Sequence, residues 1–415
     1  MNDNKVMNRG LVVMGAILIQ LALGAIYAWS VFTPSLVAEG WSKENTQWVF
    51  AIGLASFAIS MVFAGKKLNS WGPQKLTWIG GIVLGLGYIL AGLIGGTGFW
   101  KLLFLIGLVG GTGIGFAYVV PIAVGMRWFP DKKGMITGLA VAGFGFGAML
   151  WVKLAGEWGN FLSTLGLSNT FVVYGIAFAL MVVIGGLWMK FPPAEWKPAG
   201  FDANKASSAK ATSNQEFNSS EMLGKIQFYL IFLTFVFSAG AGLMSIGLMK
   251  LYPMEALQNA GMSAAQASAI AGTAMAVFFS LANGLGRIIW GLISDKLGRK
   301  KSIVIMTATQ GIIVLLFTYM AGTEVLLYLG ATLIGFNFGG NFALFPTITA
   351  DTFGAKNVGQ NYPFIFLSYG VGGILGPILG GKMGDLGNFP LAFTISGIAV
   401  LTGTILILFV KPATK

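Results

Sequence analysis

The sequence predicts an all-α membrane protein with twelve transmembrane helices in two six-helix bundles. Three observations carry that prediction. Of 415 residues, 55% are hydrophobic and only 10% charged, with a mean hydropathy of +0.78; soluble proteins carry about 25% charged residues. The apolar residues gather in runs of about 20, the length that crosses a bilayer as a helix, and do not alternate as membrane β-strands would. A polar stretch divides the runs six and six. The 61 glycines suit helices that approach closely in lipid.

The first run, at about 11–36, is too long for a signal-peptide core and lacks a convincing cleavage site, so it reads as a retained span. Runs at about 46–64 and 76–96 enclose Lys66, Lys67 and Lys75. Runs at about 102–126 and 134–155 enclose Arg127, Lys132 and Lys133, and a sixth lies at about 170–190. From Pro192 to Gly224 the chain is rich in Pro, Ser, Ala, Lys and Asn and reads as a flexible linker. The second set follows at about 225–250, 264–292, 302–322, 325–350, 359–381 and 390–410. The expected organisation is therefore a bundle over 1–191, a linker over 192–224 and a bundle over 225–415.

Placing the 26 basic residues fixes an expected orientation. With the N-terminus inside, twenty fall on the cytoplasmic side, and Lys43, Lys101, Lys153, Lys250 and Lys382 fall outside. By the positive-inside rule both termini are cytoplasmic. The net charge of +12 is then a topology signal, and no nucleic-acid partner is expected. The absence of Cys and His removes disulfides, thiol chemistry and the commonest metal ligand and proton carrier. With no clustered acids and no room for a soluble domain, the sequence points away from an enzyme, and no cofactor or metal is expected.

The two sets repeat each other faintly. Gly65 to Lys75 and Gly291 to Lys301 both read G-x-x-x-[N/D]-x-x-G-x-x-K, 226 residues apart. Phe129 to Gly134 pairs with Phe353 to Gly359 at an offset of 224. Two motifs in one order at nearly one offset argue for a duplicated six-helix unit. Twelve spans, a central cytoplasmic loop and the full motif at Gly291–Lys301 resemble the major facilitator superfamily of secondary transporters. Asn69 stands where that superfamily usually has Asp, as in monocarboxylate transporters. Arg127 to Gly134, and Ala343 to Pro346 leading into Asp351 to Gly354, resemble the bacterial oxalate/formate antiporters, relatives of the proton-coupled monocarboxylate transporters. The resemblance implies the major facilitator fold, a bacterial cytoplasmic membrane, a monomer, and alternating access around a substrate held between the bundles.

Arg287 is the one basic residue without a topological role. It lies eight residues inside Asp295, about 12 Å from the membrane edge. A central Arg costs at least about 2.5–3.5 kcal/mol in a bilayer, so such residues usually face a cavity. Its planar fork matches a carboxylate. Snorkelling to the surface is the competing reading, and the depth argues against it. Asn283 and Ser280 share its stripe at helical spacing, and Thr273 extends it. Asn283 stands where the mammalian relatives carry an Asp beside the corresponding Arg.

The resemblance also bears on substrate charge. The oxalate transporter of that family has a second embedded cation, which aligns on Tyr369 when Asn361-Tyr362 is matched. One cation favours a monoanion such as lactate over a dianion, because an unpaired charge is costly at low dielectric. Tyr27 and Tyr118 are candidate hydroxyl donors, with packing as the alternative. Asn337 and Asn341 read as ligand contacts or as glue between helices. Phe144 and Phe342 align with aromatics of the oxalate site. Asp295, with Arg299 four residues on, reads as a cytoplasmic gate together with Asn69, or else as an ordinary surface pair. The expected partners are a short monocarboxylate, a proton and the lipid bilayer. The acids all fall at span ends or in loops, so the proton site is not identified.

Overall fold

The computed structural model describes residues 7–129, 133–193, 196, 216–354, 357–411 and 413–414. Among the described residues, twelve helices are long and apolar enough to cross a membrane. In order, spans 1 to 6 are Arg9–Ala38, Lys43–Trp71, Pro73–Leu93, Phe99–Gly125, Gly138–Ala155 and Gly166–Gly186. Spans 7 to 12 are Ile226–Leu248, Ala264–Leu297, Arg299–Met320, Glu324–Phe353, Asn361–Asp385 and Phe389–Leu408. No strand occurs among the described residues. An even number of crossings returns the chain to the face where it began, here called the terminal face. Most of the polar linker, Pro130–Lys132 and Ala355–Lys356 lie outside the described residues, and with them part of the second motif pair.

The first motif pair folds alike in both copies. The segment after span 2, expected as loop, stays helical to Trp71 and breaks only at Gly72, with φ 80° and ψ 153°. Gly298 ends span 8 with φ 86° and ψ 152°. Only glycine holds that conformation without strain. Each motif is thus a helix–glycine–helix corner, and the second glycine of the motif is its hinge.

Span 8 is seated against span 10 through small residues. A Cβ on Gly286 would lie 2.1 Å from the Phe336 carbonyl oxygen, and one on Gly339 2.2 Å from that of Asn283. This backbone-to-backbone seam fixes the height and rotation of the stripe bearing Asn283 and Arg287. Just before the stripe, Ala274–Phe279 widens into a π-helical turn, and Ser280 Oγ donates to the Met275 carbonyl at 2.8 Å. Span 1 tightens into a 3₁₀ helix over Gly24–Val31, around Tyr27. Such departures from α geometry gather at functional sites.

The first six spans meet the last six mainly through span 2 against span 11 and span 5 against span 8. Leu86, Leu93, Trp100, Phe104, Ile305 and Leu408 are exposed on the outside of the bundle, the surface suited to lipid.

Beyond span 7, on the face opposite the termini, Lys250 Nζ donates to the Ser268 carbonyl. Burial pushes its ammonium down to about 8; Glu157 pulls it back up and Lys153 pushes it further down. Between that value and the ordinary lysine value of 10.5, the folded chain has released a proton that the unfolded chain keeps. Stability therefore rises with pH across this window. Lys250→Met is expected to raise the melting temperature by about 2–4 °C at pH 7 and to flatten its rise between pH 8 and 10.

Candidate functional site

Arg287, 1% exposed, lies where spans 5 and 8 meet. Its Nε donates to Asn283 Oδ1 one turn back at 3.2 Å. Its Nη1 crosses to the first six spans and donates to the Val141 carbonyl at 3.0 Å. The guanidinium carbon sits 4.0 Å from the Phe342 ring centroid and 5.6 Å from that of Phe144. Two contacts thus hold the fork in a fixed plane, and two aromatic faces cover it. Cation–π contacts of this kind strengthen when desolvated.

Two donors remain. Arg287 Nη2 and Asn283 Nδ2 are buried with no hydrogen-bond partner. The hydroxyls of Tyr27 and Tyr118 lie close enough to feel the guanidinium charge, yet neither closes a hydrogen bond of standard geometry with Nη2. Buried polar atoms without partners are rare and ask for a reason. Here both are donors beside a fixed positive charge, which is chemistry that accepts an anion with paired oxygens.

The rest of the stripe and its surroundings divide clearly. Tyr27 and Tyr369 hydrogen-bond to each other through their hydroxyls at 2.9 Å, from spans 1 and 11. Tyr27 meets Phe144 edge-on at 4.9 Å, Tyr118 meets Phe144 at 5.4 Å, and Phe342 meets Tyr369 at 5.6 Å. Phe57 and Phe366, which the sequence did not single out, complete this aromatic cluster. Phe57 touches Tyr118 at 4.9 Å and Tyr369 at 5.6 Å, and Phe366 stacks on Tyr369 at 4.8 Å. Arg287, Asn283, Tyr27, Tyr118 and Tyr369 are all at most 2% exposed, so these side chains are closed off from both faces.

Other expected residues are engaged elsewhere. Asn341 Oδ1 accepts from Ser238 Oγ at 2.8 Å, and Ser238 also contacts Gln310 at 2.7 Å. Asn341 thus joins a buried network of spans 7, 9 and 10 through its Oδ1, while its Nδ2 has no partner. Ser280 is satisfied within its own helix. Thr273, higher on the stripe, donates to Glu157, in the turn just after span 5, at 3.3 Å.

The expected gate residues form pairs that stay within one set of six spans. Asp295 bonds Arg299 at 2.6 Å, and Arg299 approaches Asp351 at 3.6 Å. Asn69 accepts from Arg127 at 3.0 Å. In this conformation these contacts brace the corners at the terminal face and do not tie the two sets together, because each partner lies on a neighbouring helix of the same set.

Comparison with known proteins agrees with this architecture. The Major Facilitator Superfamily profile matches residues 13–280 and 230–415. The chain is 30% identical over 370 residues to an uncharacterized MFS-type transporter, YhjX, of Escherichia coli (strain K12), covering 88% of this chain and 86% of that one. It is 25% identical over 402 residues to the oxalate:formate antiporter of Oxalobacter formigenes, covering 96% and 90%. It is 22% identical to monocarboxylate transporter 14 of Homo sapiens, covering 90% and 84%. Twelve apolar spans, the paired helix–glycine–helix corners and matches along nearly the whole length lead to one conclusion: the chain is a multi-pass membrane transporter, not an enzyme, and belongs to the Major Facilitator Superfamily.

Proposed function

We propose that this transporter carries a short monocarboxylate such as L-lactate, by proton symport and alternating access, across a bacterial cytoplasmic membrane with both termini inside. The observation that carries the reading is Arg287: a charged, buried fork bonded to both sets of spans, with Nη2 unpaired beside the unpaired Asn283 Nδ2. A carboxylate docked there takes both free donors and neutralises the guanidinium. Tyr27, Tyr118, Tyr369 and Phe342 enclose a small organic group beside it. The bundles over 1–191 and 225–415 then rock about this point, with 192–224 joining them. Relatives named for oxalate:formate exchange and for monocarboxylates support the substrate class. The excess of Lys and Arg in the loops of the terminal face supports the orientation.

Charge matching selects the monoanion. Arg287 has no second buried cation beside it among the described residues, and the Tyr369 hydroxyl is bonded to Tyr27. Purified protein is expected to bind lactate in preference to oxalate in a calorimetric titration. Tyr369→Lys, which adds a cation on span 11, is expected to improve oxalate binding about tenfold, in line with a close ion pair at reduced dielectric. Tighter binding of oxalate than lactate by the unaltered chain would overturn the monoanion reading.

Carboxylate exchange of the oxalate:formate kind is a second reading, and one observation favours it. No Asp or Glu is among the buried residues that the structure describes, and the guanidinium is the one charge at the site. A carrier whose bare Arg cannot cross empty would exchange anions. The proton of the symport reading must then ride on a group in contact with the bound substrate.

A further inference from the structure

The two sets of spans are joined at the face opposite the termini by contacts that have no counterpart among the terminal-face pairs described above. Span 2 begins at Lys43, and its first backbone N–H groups point out of the helix without partners of their own. Asp385, the last residue of span 11, supplies them. Its Oδ1 accepts from the Lys43 N–H at 2.7 Å and its Oδ2 from the Glu44 N–H at 2.9 Å. A helix of the first set is therefore capped by a carboxylate of the second, and the positive end of the helix dipole favours that charge.

The Lys43 side chain makes the same crossing. Its Nζ bonds Glu255 at 2.9 Å in the short helix Leu251–Asn259 beyond span 7, donates to the Gly384 carbonyl at 3.2 Å and lies 4.7 Å from the Phe389 ring centroid. One residue at the head of span 2 thus holds three elements of the second set. One turn in, Gln47 is fully buried and donates to the Gly247 carbonyl of span 7 at 3.3 Å.

We infer that Asp385 and Lys43 form a latch that holds the side opposite the termini shut, and that capping of span 2 by Asp385 must break each time that side opens. The latch is outer under the orientation proposed above, but its action does not depend on which carboxylate is carried or on proton coupling. Opening replaces the cap with water, so the latch biases the resting population towards the shut arrangement.

The chain has no cysteine, so a single Gln47→Cys reports opening at this seam; it gives up the Gly247 contact equally in the reporter and in every variant built on it. The rate at which a maleimide labels that cysteine in purified protein reads the open population. Adding Asp385→Ala is expected to raise the rate about fivefold, the usual worth of a helix cap. Asp385→Asn, which keeps one carbonyl acceptor and introduces little change in shape, is expected to give a smaller rise, and Lys43→Met a rise of its own. Unchanged labelling in Asp385→Asn and Lys43→Met, with melting temperatures equal to the reporter alone, would overturn the latch. A lowered melting temperature with unchanged labelling would assign Asp385 to folding and overturn it equally.

Discussion

Arg287→Gln is expected to weaken binding of a short monocarboxylate by at least about 30-fold, because removing one side of a buried, hydrogen-bonded charge pair costs about 2–5 kcal/mol. Glutamine keeps a planar donor group but loses the charge and the length that reaches the Val141 carbonyl. The variant should still fold. A buried guanidinium with an unpaired Nη2 carries a desolvation cost that glutamine does not, so the melting temperature should hold or rise. Titration of purified variant and parent by calorimetry reads both effects. Parent-like affinity in the variant would remove Arg287 from the binding site. Loss of binding together with a collapsed melting curve would show that the residue serves folding.

Gly286→Ala is expected to destabilise the protein by about 1–3 kcal/mol and to weaken substrate binding with it, although it adds only a methyl group. That methyl has 2.1 Å to the Phe336 carbonyl, where backbone faces backbone and no side chain can turn away. Span 8 must move off span 10, and Arg287 next in the chain moves with it. Gly291→Ala on the same helix is the control. Its added Cβ would meet the Ala343 Cβ at 3.7 Å, an ordinary contact, and the substitution should leave melting and binding unchanged. Equal melting temperatures for the two variants would contradict the claim that the seam with span 10 positions the stripe.

Much of the fold was legible because the bilayer writes its demands locally. Each span must bury its own backbone hydrogen bonds in a run of apolar residues, and those runs were visible. Arg287 stood out for the same reason, since a charge inside such a run has few explanations. What a residue touches across the bundle was less legible. Val141 contributes a carbonyl oxygen, which every residue has. Phe57 and Phe366 are two of 33 phenylalanines, and in an apolar helix no hydrophobic stripe separates the residues that pack around Arg287 from those that face lipid. Asn341 has the chemistry of a ligand residue, and its surroundings are not local: its Oδ1 accepts from Ser238 of span 7, while its Nδ2 is buried without a partner. Asp385 reads in sequence as a loop acid. Its role at the head of span 2 depends on the register of two distant helices, and no local pattern encodes that. The motif residues Asp295 and Asn69 lie at the helix–glycine–helix corners, each bonded to a residue of its own set of spans.

The central claim is that one buried guanidinium takes one monocarboxylate and that a proton travels with it. The most direct measurement is uptake of labelled L-lactate into liposomes containing the purified protein, with internal pH followed at the same time. An inward proton gradient, without any anion inside, is expected to drive lactate accumulation with matching acidification of the lumen, and Arg287→Gln is expected to abolish both. Accumulation that ignores the gradient and requires a carboxylate preloaded inside would contradict proton symport and establish exchange; no carboxylate movement in either mode would contradict the substrate class.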